Sequence, residues 1–102
     1  MSERVKADPK SPFIVDAIKN REVIRIAFSP RYALEMEPHI YGTAAGGLEL
    51  LYGWVVSGPE ATDWAVETID QAIVEPVRRG FAGPRPGYNK RHSQFETIFA
   101  SL

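Results

Sequence analysis

The sequence predicts a mainly β fold with some helix: a small, strongly bent antiparallel sheet, or a partly open barrel of the SH3 or Sm type. Three observations support this. Five short strand-like runs follow one another with turns between them. A Gly-rich connection, Thr43–Gly47, joins two of these runs, and its Gly-Gly pair is typical of a hairpin turn. Helical spacing occurs only near the two ends of the chain.

The chain of 102 residues predicts one domain with a modest core. Residues 1–10 are polar and are expected to form a flexible tail, so the domain covers residues 11–102. Ser11 and Pro12 suit the cap and the first turn of a short helix. The helix carries an apolar stripe that must pack on the sheet: Ile14, Ala17 and Ile18.

Five segments are predicted as strands because they alternate or form short apolar runs: Glu22–Ser29, Leu34–Tyr41, Leu48–Val56, Trp64–Ile69 and Ala72–Val77. Proline lacks the N–H that a sheet ladder needs. Pro38 therefore predicts a bulge or an edge in the second strand, and Pro76 either ends the fifth strand or places it at an edge.

The last two segments are less regular. Gly80–Gly87 combines three glycines with two prolines and predicts a rigid, irregular connection. In Ser93–Leu102 the apolar residues fit helical spacing better than alternation, which predicts a short C-terminal helix.

The net charge of −1 hides a segregation of acids and bases along the chain. Residues 33–75 hold eight acids and no Lys or Arg, whereas Arg78–Arg91 holds five bases and no acid. One interpretation is that the two regions attract each other, within one fold or between protomers. The other is that the basic segment binds an anionic ligand.

Composition also limits the classes of function. The chain has no cysteine, which excludes disulfides and thiol chemistry. No apolar run approaches the ~20 residues that cross a bilayer, so no membrane association is expected. The N-terminus lacks the apolar core of a signal peptide, and a cytoplasmic location is the expectation.

The segment Arg78–His92 is the best candidate for a binding site, because it places aromatic residues among its bases. Lys and Arg neutralise phosphates, and aromatic rings stack on nucleobases. The predicted contacts are Arg85, Tyr88, Lys90 and Arg91, with Arg78 and Arg79 in support. The alternative is a structural connection whose arginines pair with the acidic middle of the chain.

His39 and Tyr41 are placed by the alternation on the polar face of their strand. There they could stack on a base or bind a ligand, or form a solvated or interface surface. Tyr52, Trp54 and Trp64 lie in apolar runs and are expected in the core. With only two histidines and no metal-binding or catalytic spacing, no metal, cofactor or catalytic residue is predicted, and an enzyme of unknown type is a minor alternative.

The order of motifs resembles the WYL domain family, in particular its small stand-alone relatives. The matching stretches are AIKNREVIRIAF, MEPHIYG, GGLELLYGWVVSG, WAVETIDQAI and GYNKRHSQFETI. The Trp-Tyr-Leu element is replaced by Leu48–Tyr52, and the family's two arginines fall near Leu34 or Glu35 and near Gln71 or Ala72. The basic segment is therefore the expected anion contact instead.

The resemblance implies an Sm/SH3-like barrel with a regulatory role. WYL domains usually follow a helix-turn-helix in bacterial transcription regulators and are regarded as sensors of nucleic acid or a nucleotide. The sequence has no helix-turn-helix motif, so DNA binding would need a regulator protein on another chain. The first hypothesis is a non-enzymatic ligand-binding module that senses single-stranded nucleic acid or a nucleotide. The second is a self-associating interaction module, in which acidic strands of one copy meet the basic segment of another.

Overall fold

A computed structural model of the chain describes residues 11–58 and 61–102; the predicted tail at 1–10 lies outside them. The described residues form one helix and six strands, in this order: α1 (Pro12–Asn20), β1 (Glu22–Ser29), β2 (Tyr32–Thr43), β3 (Glu49–Ser57), β4 (Asp63–Thr68), β5 (Ile73–Gly80) and β6 (Thr97–Ser101). No helix in these described ranges is long and apolar enough to cross a membrane.

The strands form one antiparallel sheet in the order β4-β3-β2-β1-β5, and β6 also pairs with β2. This confirms the prediction of a mainly β, antiparallel fold. Strand β2 is the centre of the sheet because it has three neighbours. β3 pairs with it from Glu35 to Thr43, while β1 pairs with Tyr32–Met36 and β6 with Ile40–Thr43. β1 and β6 therefore share the edge of β2 that lies opposite β3.

Helix α1 begins and packs as the sequence predicts. The Ser11 hydroxyl oxygen accepts a hydrogen bond from the Ile14 N–H at 3.4 Å. Arg21 ends the helix in the left-handed conformation, with φ of 57°. The helix packs its apolar stripe on the sheet and completes a core of buried residues from α1 and the strands: Ile14, Ala17, Ile18, Ile24, Ile26, Leu34, Met36, Tyr41, Leu51, Val55 and Ile69.

A bulge interrupts β2 just after Pro38, as predicted. Pro38 lies opposite Gly53 and Ile40 lies opposite Tyr52, so His39 is the extra residue on the β2 side. One extra residue reverses the alternation of side chains. Before the bulge the even-numbered Met36 faces the core with α1; after it the odd-numbered Tyr41 does.

The predicted C-terminal helix is wrong, because β6 occupies that segment. The half of β2 beyond the end of β1 has unpaired backbone groups, and Thr97–Ser101 supplies their partners. Gly42 permits this pairing, since a Cβ atom there would collide with the Thr97 carbonyl oxygen. Tertiary pairing therefore overrides a weak local helical pattern.

The turn and edge predictions agree with the structure. Gly46 and Gly47 both have positive φ, 91° and 88°, in the turn between β2 and β3. Pro76 lies in β5 at an edge of the sheet, although it does not end the strand, which continues to Gly80. The edge position explains this, because a proline there needs no partner for a missing N–H.

Candidate functional site

Residues 81–95 make up all but the last residue of the connection between β5 and β6, and we call them the cover segment. Its side chains contact Tyr52 and Trp64 of the sheet. Tyr52 alternates with Leu51, which belongs to the core beneath α1, so the two point to opposite faces. The cover segment therefore lies on the face of the sheet opposite the helix.

His39 is fully buried beneath the cover segment. Its Nδ1 lies 2.8 Å from the Glu37 carbonyl oxygen, and its Nε2 lies 3.2 Å from the Arg85 backbone nitrogen. A carbonyl oxygen only accepts and a backbone N–H only donates, so we assign the proton to Nδ1 and leave Nε2 as an acceptor. Burial lowers the pKa of His39 and favours this neutral form, although Glu37 partly opposes the shift.

Three aromatic rings surround the His39 imidazole. Trp64 and Tyr88 meet it edge to face, each with ring centres 4.9 Å away, and Phe81 stacks on it at 5.8 Å. The prediction that His39 lies on an exposed polar face is therefore wrong. The rings of the cover segment and of β4 enclose this side chain in an aromatic pocket.

An ion pair joins the cover segment to β2 beside this pocket. The Arg85 Nε and Nη2 atoms donate to the two carboxylate oxygens of Glu37, at 2.8 and 2.9 Å. The Glu37 side chain is only 9% exposed, and its hydrogen bond raises the pKa of Arg85. The Arg85 guanidinium also lies 5.1 Å from the centre of the Trp54 ring. The charge of Arg85 is therefore paired with an acid inside the fold.

A second arginine from the basic segment also pairs with the acidic region. Arg79 donates to Glu35 at 3.3 Å, in a more exposed position. Both pairs match the interpretation in which arginines of the basic segment meet the acidic middle of the same chain. Arg78 is exposed on β5 with φ of 67° and makes no ion pair with the described residues.

Tyr88 fastens the cover segment to the end of β6. Its hydroxyl lies 3.2 Å from the Leu102 backbone oxygen and 3.4 Å from that of His39. Burial raises the pKa of Tyr88, so the phenol stays neutral and can donate. Asn89 adds a further contact, since its backbone N–H donates to the Tyr52 hydroxyl at 3.2 Å. Tyr88, predicted as a ligand contact, is therefore half-buried and hydrogen-bonded.

Four residues at the far end of the cover segment form what we call the basic tip: Lys90, Arg91, His92 and Phe95. Lys90 and Arg91 are exposed and make no ion pair within residues 11–58 and 61–102. The half-exposed His92 ring tilts against Tyr52 at 4.6 Å, and Phe95 meets His92 edge-on at 5.8 Å. The tip therefore holds two exposed cations and two half-exposed rings within a short stretch of the chain.

Tyr41 lies apart from this site, on the face that packs with α1. It is fully buried, which contradicts the predicted polar position. Its hydroxyl donates to the buried Glu49 carboxylate at 2.6 Å and accepts from the Ser11 N–H at 3.2 Å. These hydrogen bonds connect the helix start to β2 and β3.

Several residues of the site did not stand out in the sequence. His92 ended the candidate segment without being singled out, Phe95 fell in the predicted C-terminal helix, and Glu37 was one of many acids. Tyr52 is buried as predicted, whereas Trp54 and Trp64 are half-buried on the covered face rather than in the core beneath α1. No local pattern pointed to these residues, because their places depend on the path of the cover segment.

The described residues also limit what the site can do. They contain no group of three or more His, Asp or Glu side chains placed to hold a metal ion. The site offers positive charge, aromatic rings on which a ligand can stack, and a cover segment that hydrogen bonds hold on the sheet. When the chain was compared with protein-family models, curated proteins and solved structures, no match was found.

Proposed function

We propose that this protein is a non-enzymatic binding module whose basic tip takes single-stranded nucleic acid. The observation that supports this is that two exposed cations and two half-exposed rings occur close together along the cover segment. Lys90 and Arg91 have no ion-pair partner among the described residues, and His92 and Phe95 follow them in the chain. Cations neutralise phosphates and rings stack on bases, which together favour a single strand.

The site proposed from the structure is smaller than the one predicted from the sequence. Of the six predicted contacts in the basic segment, Lys90 and Arg91 remain as direct contacts. Arg85 and Tyr88 hold the cover segment against the sheet, where they keep the tip in place. The bound ligand then meets a preformed surface, which lowers the entropy lost on binding.

The proposed regulatory role rests on the order of the sequence motifs. The proposed SH3- or Sm-type barrel rests on the geometry of β2. A strand that is bulged and shared by three neighbours is compatible with a partly open barrel of the SH3 or Sm type. The motif order adds the resemblance to WYL domains and hence a role in transcription regulation. A regulator protein on another chain would then supply contact with duplex DNA.

Fluorescence anisotropy with a labelled 12-nucleotide single strand tests the proposal. We expect binding at 50 mM salt, and roughly tenfold weaker affinity when Lys90→Ala and Arg91→Ala are combined. Losing two phosphate contacts should also make the salt dependence shallower by roughly 1.4 log units of affinity per log unit of salt. Both side chains are exposed, so the free energy of unfolding should change by less than about 0.5 kcal/mol.

The matched control removes two exposed positive charges elsewhere, with Lys19→Ala and Arg31→Ala combined. This variant has the same net charge as the tip variant, and we expect its affinity to stay within about twofold of the original. Absence of binding at low salt contradicts the proposal. So does an equal loss of affinity in both variants, because it would show attraction by net charge alone.

Self-association is the second candidate, and one exposed residue favours it. Ile73 on β5 is 63% exposed, and β5 pairs only with β1 among the described strands. An open strand edge beside an apolar side chain can pair with a second copy. Light scattering at tens of micromolar should then show a dimer that Ile73→Lys returns to monomer. A monomer before the substitution contradicts this candidate.

A further inference from the structure

His39 is the point at which the cover segment and the end of β6 both attach to β2. The Arg85 N–H donates to its ring, and the Leu102 N–H donates to its backbone oxygen at 2.9 Å. Tyr88 adds a longer contact to the same oxygen. The imidazole therefore holds one of the hydrogen bonds that keep the cover segment closed, and it is the one member of this set that can change protonation near neutral pH.

The two ring nitrogens of His39 differ in whether they can accept another proton. Nδ1 already carries a proton and donates it to the Glu37 carbonyl oxygen. A second proton can bind only at Nε2, which now accepts from the Arg85 N–H. Once protonated, Nε2 becomes a donor that faces another donor, and the hydrogen bond is lost. The new imidazolium would also be a buried charge within an aromatic pocket.

The charged and titratable groups around His39 come from two elements. The Glu37 carboxylate belongs to β2, while the Arg85 guanidinium and the Tyr88 phenol belong to the cover segment. From β4 the ring is met by Trp64, which does not titrate. Burial lowers the pKa of His39 and outweighs the hydrogen bond to the Glu37 carbonyl oxygen and the Glu37 charge, which raise it; the Arg85 charge lowers it further. Burial is therefore the main influence, and it disfavours the protonated ring.

We propose that His39 is a proton-operated latch: while neutral it holds the cover segment on the sheet, and a proton on Nε2 releases the segment by breaking the Arg85 bond. Opening would move the basic tip, which lies on the same segment. The latch goes beyond the proposed binding function and does not require it, since it acts within one chain with no ligand bound.

The direction of the pH effect follows from linkage. In the open form His39 is in water, where imidazole has a pKa of about 6.5, and in the closed form its pKa is lower. The open form therefore binds protons more readily, and opening becomes easier as the pH falls below about 6.5. Its equilibrium constant should rise by up to about tenfold per pH unit until the closed form is protonated too.

Amide hydrogen exchange by NMR on the full chain, between pH 7.5 and 5, tests the latch. After correction for intrinsic exchange, we expect protection of the Arg85 amide to fall by up to about tenfold per unit below pH 6.5. The Ile26 amide, on a strand paired on both sides, reports global unfolding. Arg85 should be at least about tenfold less protected than Ile26, as a local opening requires. Equal protection of the two amides overturns the proposal.

Two variants separate the roles of the histidines. His39→Gln keeps an oxygen acceptor for the Arg85 N–H but does not titrate, so the pH dependence of Arg85 protection should disappear. His92→Gln should retain it. Ring ¹⁵N shifts of the unmodified protein decide the matter even when His39→Gln fails to fold. A proton on Nε2 at neutral pH, or titration of His39 without loss of Arg85 protection, overturns the latch. No nucleic acid is present, so this outcome is independent of the binding proposal.

Discussion

The two faces of the sheet are closed in different ways. Beneath α1 the core is mainly aliphatic, with Ile18 of the helix and Ile26 of the sheet among its buried residues. Tyr41 and its hydrogen bond to Glu49 are buried on the same face. Beneath the cover segment they are aromatic, hydrogen-bonded and ionic, with His39 and the Glu37–Arg85 pair at the centre. One face is closed by a regular helix and the other by a segment without regular structure.

This difference shows how stability and responsiveness can be divided between two sides of one sheet. Apolar burial is non-directional and contributes about 25 cal/mol per Å² whatever the pH. Hydrogen bonds and ion pairs depend on direction and on protonation state. We therefore expect the helix face to carry most of the free energy of unfolding and the covered face to open locally at lower free energy.

The largest expected effect comes from truncating the helix face. Ile26→Ala removes a fully buried side chain from the core and should reduce the free energy of unfolding by about 2–5 kcal/mol in urea denaturation. Ile98→Ala is the control, because that side chain is 45% exposed and its loss should change stability far less. Similar losses in the two variants would break the comparison, since stability would then not reside in the aliphatic core.

A smaller effect is expected from the ion pair of the covered face. A double-mutant cycle of Glu37→Gln and Arg85→Gln should give a coupling free energy of about 1 kcal/mol, reduced by solvent because the Arg85 side chain is 41% exposed. The control cycle uses Arg25 and Glu75, whose side chains are 44% and 53% exposed at 3.5 Å. We expect less than half of that coupling there. Equal couplings would mean that the covered face gains nothing from its bidentate geometry.

The sheet and helix were predictable because their signals are local. Alternation marks the strands, and β1 begins and ends at the residues predicted, Glu22 and Ser29. Ser11 and Pro12 mark the helix start, and Gly46 and Gly47 mark the hairpin. Each of these features depends on residues within one turn or one strand, so the sequence alone carries the information.

The sequence predictions were wrong where the local structure depends on contacts with a distant part of the chain. Thr97–Ser101 is a strand because an edge of β2 lies open to it, which no local pattern in that segment reveals. A bulge was one of the two alternatives predicted at Pro38, and simple alternation, which ignores a bulge, places Tyr41 on the wrong face. The pairing of Arg85 rather than Lys90 with an acid likewise depends on the path of the cover segment.

The three strands that pair with β2 lie at different distances from it along the chain, and this predicts the order in which they pair during folding. The pairings with β1 and β3 join segments adjacent in the chain, whereas β6 arrives after a gap of more than half the chain. Closing so long a loop costs more entropy, and such contacts form late. We therefore expect the meander β1–β4 to assemble before β6 docks. Docking of β6 then adds Phe99 to the core beneath α1 and gives His39 its Leu102 contact on the covered face.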